Sequence, residues 1–221
     1  MDPAYDYPTL LQRLRSRLRY HILPAGRSSM LIGLCFARPT SPLAKSEILP
    51  QIPDWHHRSG NSEDFYFAGF ADHEWENGFQ KVDLPGRGTW YYSPKAFQAF
   101  RSEVESRTKW KYSGGSDLIL CVARWDERKS EPVIDFSCAI VCQLDAMKDA
   151  KAIVSVEQYF ESVLRYAESA QFEPSILALS YEHGTKQVRS ELKRLALSVL
   201  PGQLGTAWDK IAPHAVMDIA Q

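Results

Sequence analysis

The chain has 221 residues, of which 44% are hydrophobic and 24% charged, a composition typical of a globular protein with a sizeable core. Its formal net charge of −1 gives no overall field that would attract nucleic acid or anionic lipid. No apolar run reaches the roughly 18 residues that a membrane span needs, and the acidic N-terminal segment lacks the apolar stretch of a secretory signal. We therefore expect a cytoplasmic protein without a membrane span.

The first third of the chain predicts a helix, a strand and a second helix. Leucines at helical spacing, with arginines between them, indicate a basic amphipathic helix over residues 9–20. The continuous apolar run 29–37 is typical of a buried strand. Ser41 is a helix cap followed by a proline, and we expect the helix that it opens to end near Pro50 or Pro53.

The middle of the chain is rich in aromatic residues. Residues 55–62 are expected to form a polar loop, and residues 64–70 an aromatic strand. Residues 71–88 have the composition of a loop, and residues 89–92 that of a short strand. Ser93, again followed by proline, predicts the start of another helix.

A late pair of strands follows. Residues 117–125 are apolar on both faces, which indicates a strand at the centre of a sheet. The link to the next strand, 133–145, is too short for a parallel crossover, so the two strands should be antiparallel. Strict alternation in the second strand would place one set of apolar residues on a single face: Ile134, Phe136, Cys138, Ile140, Cys142 and Leu144.

The C-terminal part is expected to be helical. Ser155 begins a capping box before an amphipathic stretch. Thr185 caps a second stretch, whose apolar residues share one face as far as residue 200. We expect an α/β body over residues 1–180 and a helical segment over residues 181–221 that packs on it.

The order of elements predicts an α/β fold. Parallel strand–helix–strand units combine with the late antiparallel hairpin in one mixed sheet flanked by helices, with a C-terminal helical appendage. This order resembles the thioredoxin-like arrangement, but the chain lacks that family's Cys-x-x-Cys motif and the proline before the hairpin. The resemblance therefore implies a fold and no activity. The four cysteines lie in apolar runs and should behave as small hydrophobic side chains.

A first group of candidate residues is acidic. Glu103 and Glu105 lie on a helix, Asp117 begins the next strand, and Gln143 and Asp145 follow on its partner. This pattern resembles the PD-(D/E)xK nucleases, in which carboxylates hold Mg²⁺ for the activation of water. The lysine of that motif is missing here. The alternative is a solvated helix face and an aspartate that caps a turn.

A second group contains histidines. His56 and His57 lie close in sequence to Asp64 and, further on, to Asp72. Such residues could support acid–base or nucleophilic chemistry, although the chain has no Gly-x-Ser-x-Gly motif. The alternative is a polar surface loop.

The segment 110–117, called here the glycine loop, is the third candidate. If the strands that follow residues 56–64 and the glycine loop are parallel neighbours, both loops lie at one edge of the sheet. The amides of Gly114 and Gly115 could then bind an anion together with the guanidinium of Arg58. The predicted ligand-binding residues are Arg58, Ser113, Gly114, Gly115 and Asp117.

These observations favour a non-catalytic recognition or regulatory module that binds a protein partner or a small anionic ligand and needs no cofactor. Two alternatives remain open. One is a divergent Mg²⁺-dependent nuclease or phosphodiesterase that uses Glu105, Asp117 and Asp145, and the other is a small hydrolase that uses His56 and His57. A protein partner or a second copy of the chain would bind through the basic N-terminal helix or the C-terminal helices. Nucleic acid is not favoured.

Overall fold

Two sheets organise the part of the chain that the computed structural model describes, which comprises residues 1–58, 63–74, 78–84, 86, 88–169, 176, 216–217 and 219–220. The larger sheet has the strand order β1-β3-β2-β7-β8-β9, and the smaller one the order β4-β6-β5. The strands are β1 Asp2–Ala4, β2 Ser29–Phe36, β3 Glu63–Ala68, β4 Phe70–Ala71, β5 Gln80–Leu84, β6 Gly88–Tyr92, β7 Asp117–Asp126, β8 Glu131–Gln143 and β9 Val216–Met217.

Helices flank the larger sheet. The described α-helices are α1 Tyr7–Arg17, α2 Ile52–Arg58, α3 Pro94–Arg107, α4 Leu144–Asp149 and α5 Val156–Ser169. Their first residues follow the expected capping chemistry. The side chain of Asp6 accepts a hydrogen bond from the amide of Thr9 in α1, and Ser93 accepts one from Ala96 in α3. Ser155 accepts one from Gln158 at 3.1 Å, as the capping box predicts.

The predicted fold class is confirmed. β2 and β3 are parallel and are connected through α2, whereas β2 and β7 are antiparallel. β7 and β8 form the expected antiparallel hairpin. β7 lies between β2 and β8, and its residues 118–121 are completely buried, so the expectation of a central strand is correct for that stretch.

The expected end of the second helix near Pro50 or Pro53 is wrong. Helical structure continues through a π-helical segment at Ala44–Ile48 and a 3-10 turn at Leu49–Gln51 into α2. Each proline lies near the start of a new helical segment, where its missing amide hydrogen is not needed. Residues 55–58 are consequently helical, not part of a polar loop.

Two further expectations are corrected. Part of the predicted loop 71–88 is the strand β5, in which the buried residues Val82 and Leu84 alternate with exposed ones. The strict alternation predicted for β8 is interrupted by a shift of register, because Leu120 pairs with Ile140 but Val122 pairs with Asp135. Ile140 and Asp135 therefore lie on the same face of the sheet, and the predicted single apolar face does not exist.

Gly33 allows the sheet to pack tightly at its centre. A Cβ atom at this position would lie 2.3 Å from Cδ1 and 2.7 Å from Cε1 of Phe65, and 3.2 Å from Cδ1 of Leu118. The ring of Phe65 thus occupies the space above β2 that a side chain would take. All residues of β2 are buried.

Gly69 joins the two sheets. It lies between β3 and β4 with a φ of 80°, a conformation that favours glycine. Its amide donates to the carbonyl of Ala4 in β1 at 2.9 Å, and its own carbonyl accepts from the amide of Ser93 at 2.9 Å.

The helix expected over residues 185–200 lies outside the described residues. Near the end of the chain, β9 pairs with β8. Val216 and Met217, which lie in the segment expected to be helical, are therefore in a strand. The amide of Ile219 also donates to the carbonyl of Phe136 at 3.1 Å, which attaches the C-terminal end of the chain to the larger sheet.

Candidate functional site

Asp117 is an internal support of the glycine loop. The residue is completely buried, and its carboxylate accepts hydrogen bonds from Nε1 of Trp110 at 3.2 Å and from the amide of Ser113 at 3.0 Å. The hydroxyl of Ser113 donates to the same carboxylate. Burial raises the pKa of Asp117, these donors oppose the rise, and the negative charge of Asp145 adds to it.

Glu105 and Asp145 support the same loop. Glu105 accepts from the amide of Tyr112 at 3.0 Å, and Asp145 accepts from the amide of Ser116 at 2.5 Å. The three acids of the predicted nuclease site thus each bind a different backbone amide of the loop. Among the described residues, no group of three or more His, Cys, Asp or Glu is placed to hold a metal ion.

One of the two glycine amides expected to bind an anion is already used within the glycine loop. The amide of Gly115, which is expected from the sequence to bind an anion, instead donates a hydrogen bond to Oγ of Ser113 at 3.2 Å. A Cβ atom on Gly115 would lie 2.6 Å from Oδ2 of Asp145, so a carboxylate of the chain already lies against this residue. Carboxylates facing the loop would repel a second anion.

Arg58 does not lie near the glycine loop. β3 and β7 are separated by β2 and run in opposite directions, so the condition for a shared edge is not met. Asp64 pairs with Ile32 and Asp117 pairs with Phe36, four residues or about 13 Å further along β2. Arg58 instead forms an ion pair with Glu161 on α5.

The arginine that contacts the glycine loop is Arg38, whereas the sequence predicts Arg58 at this place. Its Nη2 donates to the carbonyl of Gly114 at 2.8 Å. The guanidinium groups of Arg38 and Arg101 lie 6.0 and 5.8 Å from the ring centroid of Tyr112. Arg38 lies two residues after the end of β2, and the antiparallel pairing of β2 with β7 brings it to the loop, so the sequence carries no local signal for this contact.

A polar cleft of about 700 Å³ lies between α1, α2 and the edge of the larger sheet formed by β1 and β3. We call it the N-terminal cleft. Asp64 and Tyr66 of β3 both line it, because residues two apart on a strand point to the same side. The described residues that line it are Met1, Asp2, Thr9, Gln12, Arg13, Ser16, Arg17, Tyr20, His21, His56, Asp64 and Tyr66.

His56 and Asp64, which the sequence places in one neighbourhood, do converge in this cleft. The α-ammonium group of Met1 donates to Oδ1 of Asp64 at 2.9 Å and lies 3.4 Å from Nδ1 of His56. The amide of Phe65 donates to the same oxygen of Asp64 at 2.9 Å. Burial raises the pKa of Asp64, and the ammonium group opposes the rise. His57 does not line the cleft.

Tyr66 has a buried polar atom in the cleft. The residue is 1% exposed, and its hydroxyl lies beside the carboxylate of Asp64 but forms no well-aligned hydrogen bond with any described residue. Burial raises the pKa of Tyr66 well above its ordinary value, the nearby carboxylates of Asp64 and Asp2 raise it further, and the charge of Arg17 opposes them. The hydroxyl is therefore neutral at ordinary pH and can donate a hydrogen bond.

The helix α1 contributes the cationic wall of the cleft. Arg13 and Arg17 are one helical turn apart on α1, and His21 lies beyond the end of α1 in the π-helical segment Leu18–Ile22. Arg13 is fixed by an ion pair of 3.1 Å with Asp72. From the sequence alone, the arginines of this helix are expected to form one basic surface. The spacing of four residues between Arg13, Arg17 and His21 is the signal that could have separated this face from the rest.

No family model matches the chain, and no curated protein and no solved structure matches it significantly. Within the described ranges, no helix is long and apolar enough to cross a membrane. The site has to be interpreted from its own geometry.

Proposed function

We propose that the protein is a non-catalytic recognition module that binds a small oxyanion, such as a carboxylate or a phosphate group, in the N-terminal cleft. The observation that carries the proposal is the buried hydroxyl of Tyr66, which lines the cleft beside the carboxylate of Asp64 and forms no well-aligned hydrogen bond within the described structure. A buried polar group without a partner costs roughly 1–3 kcal/mol, and a ligand that accepts its hydrogen bond would recover this free energy.

The balance of donors and acceptors supports an oxyanion. Asp64, the main acceptor at the base of the cleft, already accepts from the ammonium group of Met1 and the amide of Phe65. The cleft retains the hydroxyl of Tyr66 and is lined by the side chains of Arg17 and His21. Two carboxylates, Asp2 and Asp64, also line the cleft, but the ammonium group of Met1 and the guanidinium groups of Arg13 and Arg17 outnumber them, so a ligand that supplies acceptors and negative charge complements the cleft.

The catalytic alternatives have less support. A Mg²⁺-dependent nuclease would need Glu105, Asp117 and Asp145 as metal ligands, but each of them accepts a backbone amide of the glycine loop. A hydrolase built on the His56/His57 pair would have only His56 in the cleft, and the described lining contains no cysteine nucleophile and no Gly-x-Ser-x-Gly serine beside it.

The proposal can be tested by thermal unfolding in increasing concentrations of inorganic phosphate, with chloride at equal ionic strength as the reference. Phosphate should raise the Tm of the wild type, because a ligand at ten times its Kd stabilises the folded state by about 1.4 kcal/mol. The variants Tyr66→Phe and Arg17→Gln should lose this increase.

Arg15→Gln is the matched control. Arg15 lies on the same helix but does not line the cleft, so this variant should keep the full increase in Tm. The absence of any phosphate-dependent increase in the wild type would refute the proposal. If Arg15→Gln and Arg17→Gln lose the phosphate-dependent increase in Tm to the same extent, phosphate binds only to the general basic surface.

A further inference from the structure

A second groove, of about 840 Å³, lies on another side of α1. It separates this helix from the strand β8 and the β7–β8 turn, and we call it the hairpin groove. It shares Gln12 with the N-terminal cleft but none of that cleft's charged residues. It is therefore a separate surface.

The hairpin groove has an apolar floor. Phe136 is 8% exposed, and Leu11 and Ile134 are partly exposed beside it. These three side chains pack against the main core, so the floor is held in place from below. An apolar side chain that enters the groove would remove both its own surface and this floor from water.

The rim of the groove is mainly cationic. Arg15, Arg107 and Lys129 line it together with one acid, Glu131. Arg15 is exposed and can reach a bound partner, whereas Lys129, whose side chain is 66% exposed, forms a 3.9 Å ion pair with Glu131 that a bound carboxylate would have to share or displace. The formal charge of the lining residues is +2, although the whole chain has a charge of −1.

Arg107 is already fixed in place. Its Nε donates to Oε1 of Glu103 at 2.8 Å, and its guanidinium carbon lies 4.7 Å from the ring centroid of Tyr7. The β7–β8 turn is ordered as well, because the side chain of Asp126 accepts from the amide of Arg128 at 2.9 Å. The fixed side chain of Arg107 and the ordered turn favour binding, since less conformational entropy is lost there when the partner docks.

We propose that the hairpin groove binds an acidic segment of a partner protein that carries apolar side chains between its acids. Such a segment would place its apolar side chains on Phe136 and Ile134 and its carboxylates at Arg15 and Lys129. A flat anionic membrane could meet the rim charges, but it could not reach a floor as recessed as Phe136. The segment complements both features at once.

The probe for the test is a fluorescein-labelled synthetic peptide in which glutamates alternate with leucine and phenylalanine. Its binding to the full chain is followed by fluorescence anisotropy. We expect binding that weakens as salt is added, because the rim charges are exposed to solvent. A peptide with lysine in place of glutamate, and one with serine in place of the apolar residues, should both bind at least about tenfold more weakly.

Two charge reversals on the same part of the chain locate the site. Arg15→Glu should raise the Kd of the acidic peptide about tenfold or more, because it puts a like charge on the rim. Arg19→Glu makes the same charge change at an exposed position outside the groove and should leave the Kd unchanged. Both variants should keep the phosphate-dependent increase in Tm, so that failure of this proposal is distinguishable from failure at the N-terminal cleft.

Three results would overturn the proposal. One is the absence of peptide binding by the wild type, and another is equal weakening by Arg15→Glu and Arg19→Glu. The third is binding of the wild type, but not of Arg15→Glu, to vesicles of anionic phospholipid, because that result would assign the surface to a membrane.

Discussion

The carboxylate of Asp117 has two properties that catalytic acids share, complete burial and a raised pKa. Its partners show a different role, since they are the indole of Trp110 and the amide and hydroxyl of Ser113 in its own loop. The sequence could predict that Asp117 is placed at the start of a buried strand. It could not predict the identity of its partners, because these depend on how the loop folds back over the strand.

Asp117→Ala should lower the free energy of unfolding by about 3 kcal/mol, because the variant leaves three donors without their acceptor. Equilibrium denaturation with urea measures this change. Glu103→Ala is the control on the preceding helix, and it should cost less than about 1 kcal/mol because its ion pair with Arg107 is exposed. Equal stability of Asp117→Ala and the wild type would contradict the structural role.

Glu47 should make the stability depend on pH. It accepts from the amide of Val156 at 3.0 Å and from Nζ of Lys148. Burial acts to raise the pKa of Glu47, but these hydrogen bonds outweigh it and the pKa is lowered. For a lowered pKa, the stabilisation is present above the ordinary value of about 4.3 and is lost as the pH falls through the folded-state value.

Glu47→Gln should accordingly be less stable than the wild type by about 1 kcal/mol at pH 7, and the difference should shrink in acid below about pH 4. Urea denaturation over this pH range measures both effects. If the difference in the free energy of unfolding between the two proteins does not shrink at low pH, the charge of Glu47 contributes nothing to stability.

Elements with a clear local signal were predictable. Ser93 and Ser155 cap the helices that follow them, and residues 118–121 of β7 are buried on both sides, because caps and apolar runs act through near neighbours. The register shift in β8 has no such signal. It becomes visible only where the strand pairs with β7, and this pairing depends on residues distant in sequence.

Gly33→Ala tests the packing between β2 and β3. We expect a loss of about 1–3 kcal/mol, because the added methyl group would overlap the ring of Phe65. The double variant Gly33→Ala/Phe65→Leu should be more stable than the sum of the two single changes predicts. If the changes in the free energy of unfolding caused by the two single substitutions add up to that of the double variant, the two positions do not compete for space.

On the scale of the whole molecule, the sequence predicted the mixed sheet but not where its loops meet. The order of helices and strands indicated the parallel and antiparallel pairs. The position of β2 between β3 and β7 then decides the location of the sites. It separates Arg58 from the glycine loop and leaves His56 and Asp64 with α1 in the N-terminal cleft. Neighbours in space from three separate segments cannot be inferred from spacing along the chain alone.

Gly69 has a consequence for cooperativity. Its two backbone hydrogen bonds connect β1 of the larger sheet with Ser93, the residue between β6 and α3. Opening the smaller sheet by itself would strain this junction, so we expect the two sheets to exchange their amide hydrogens as one unit. Under native conditions the amides of Gly69 and Ser93 would then exchange only through global unfolding, as slowly as those at the centre of β2.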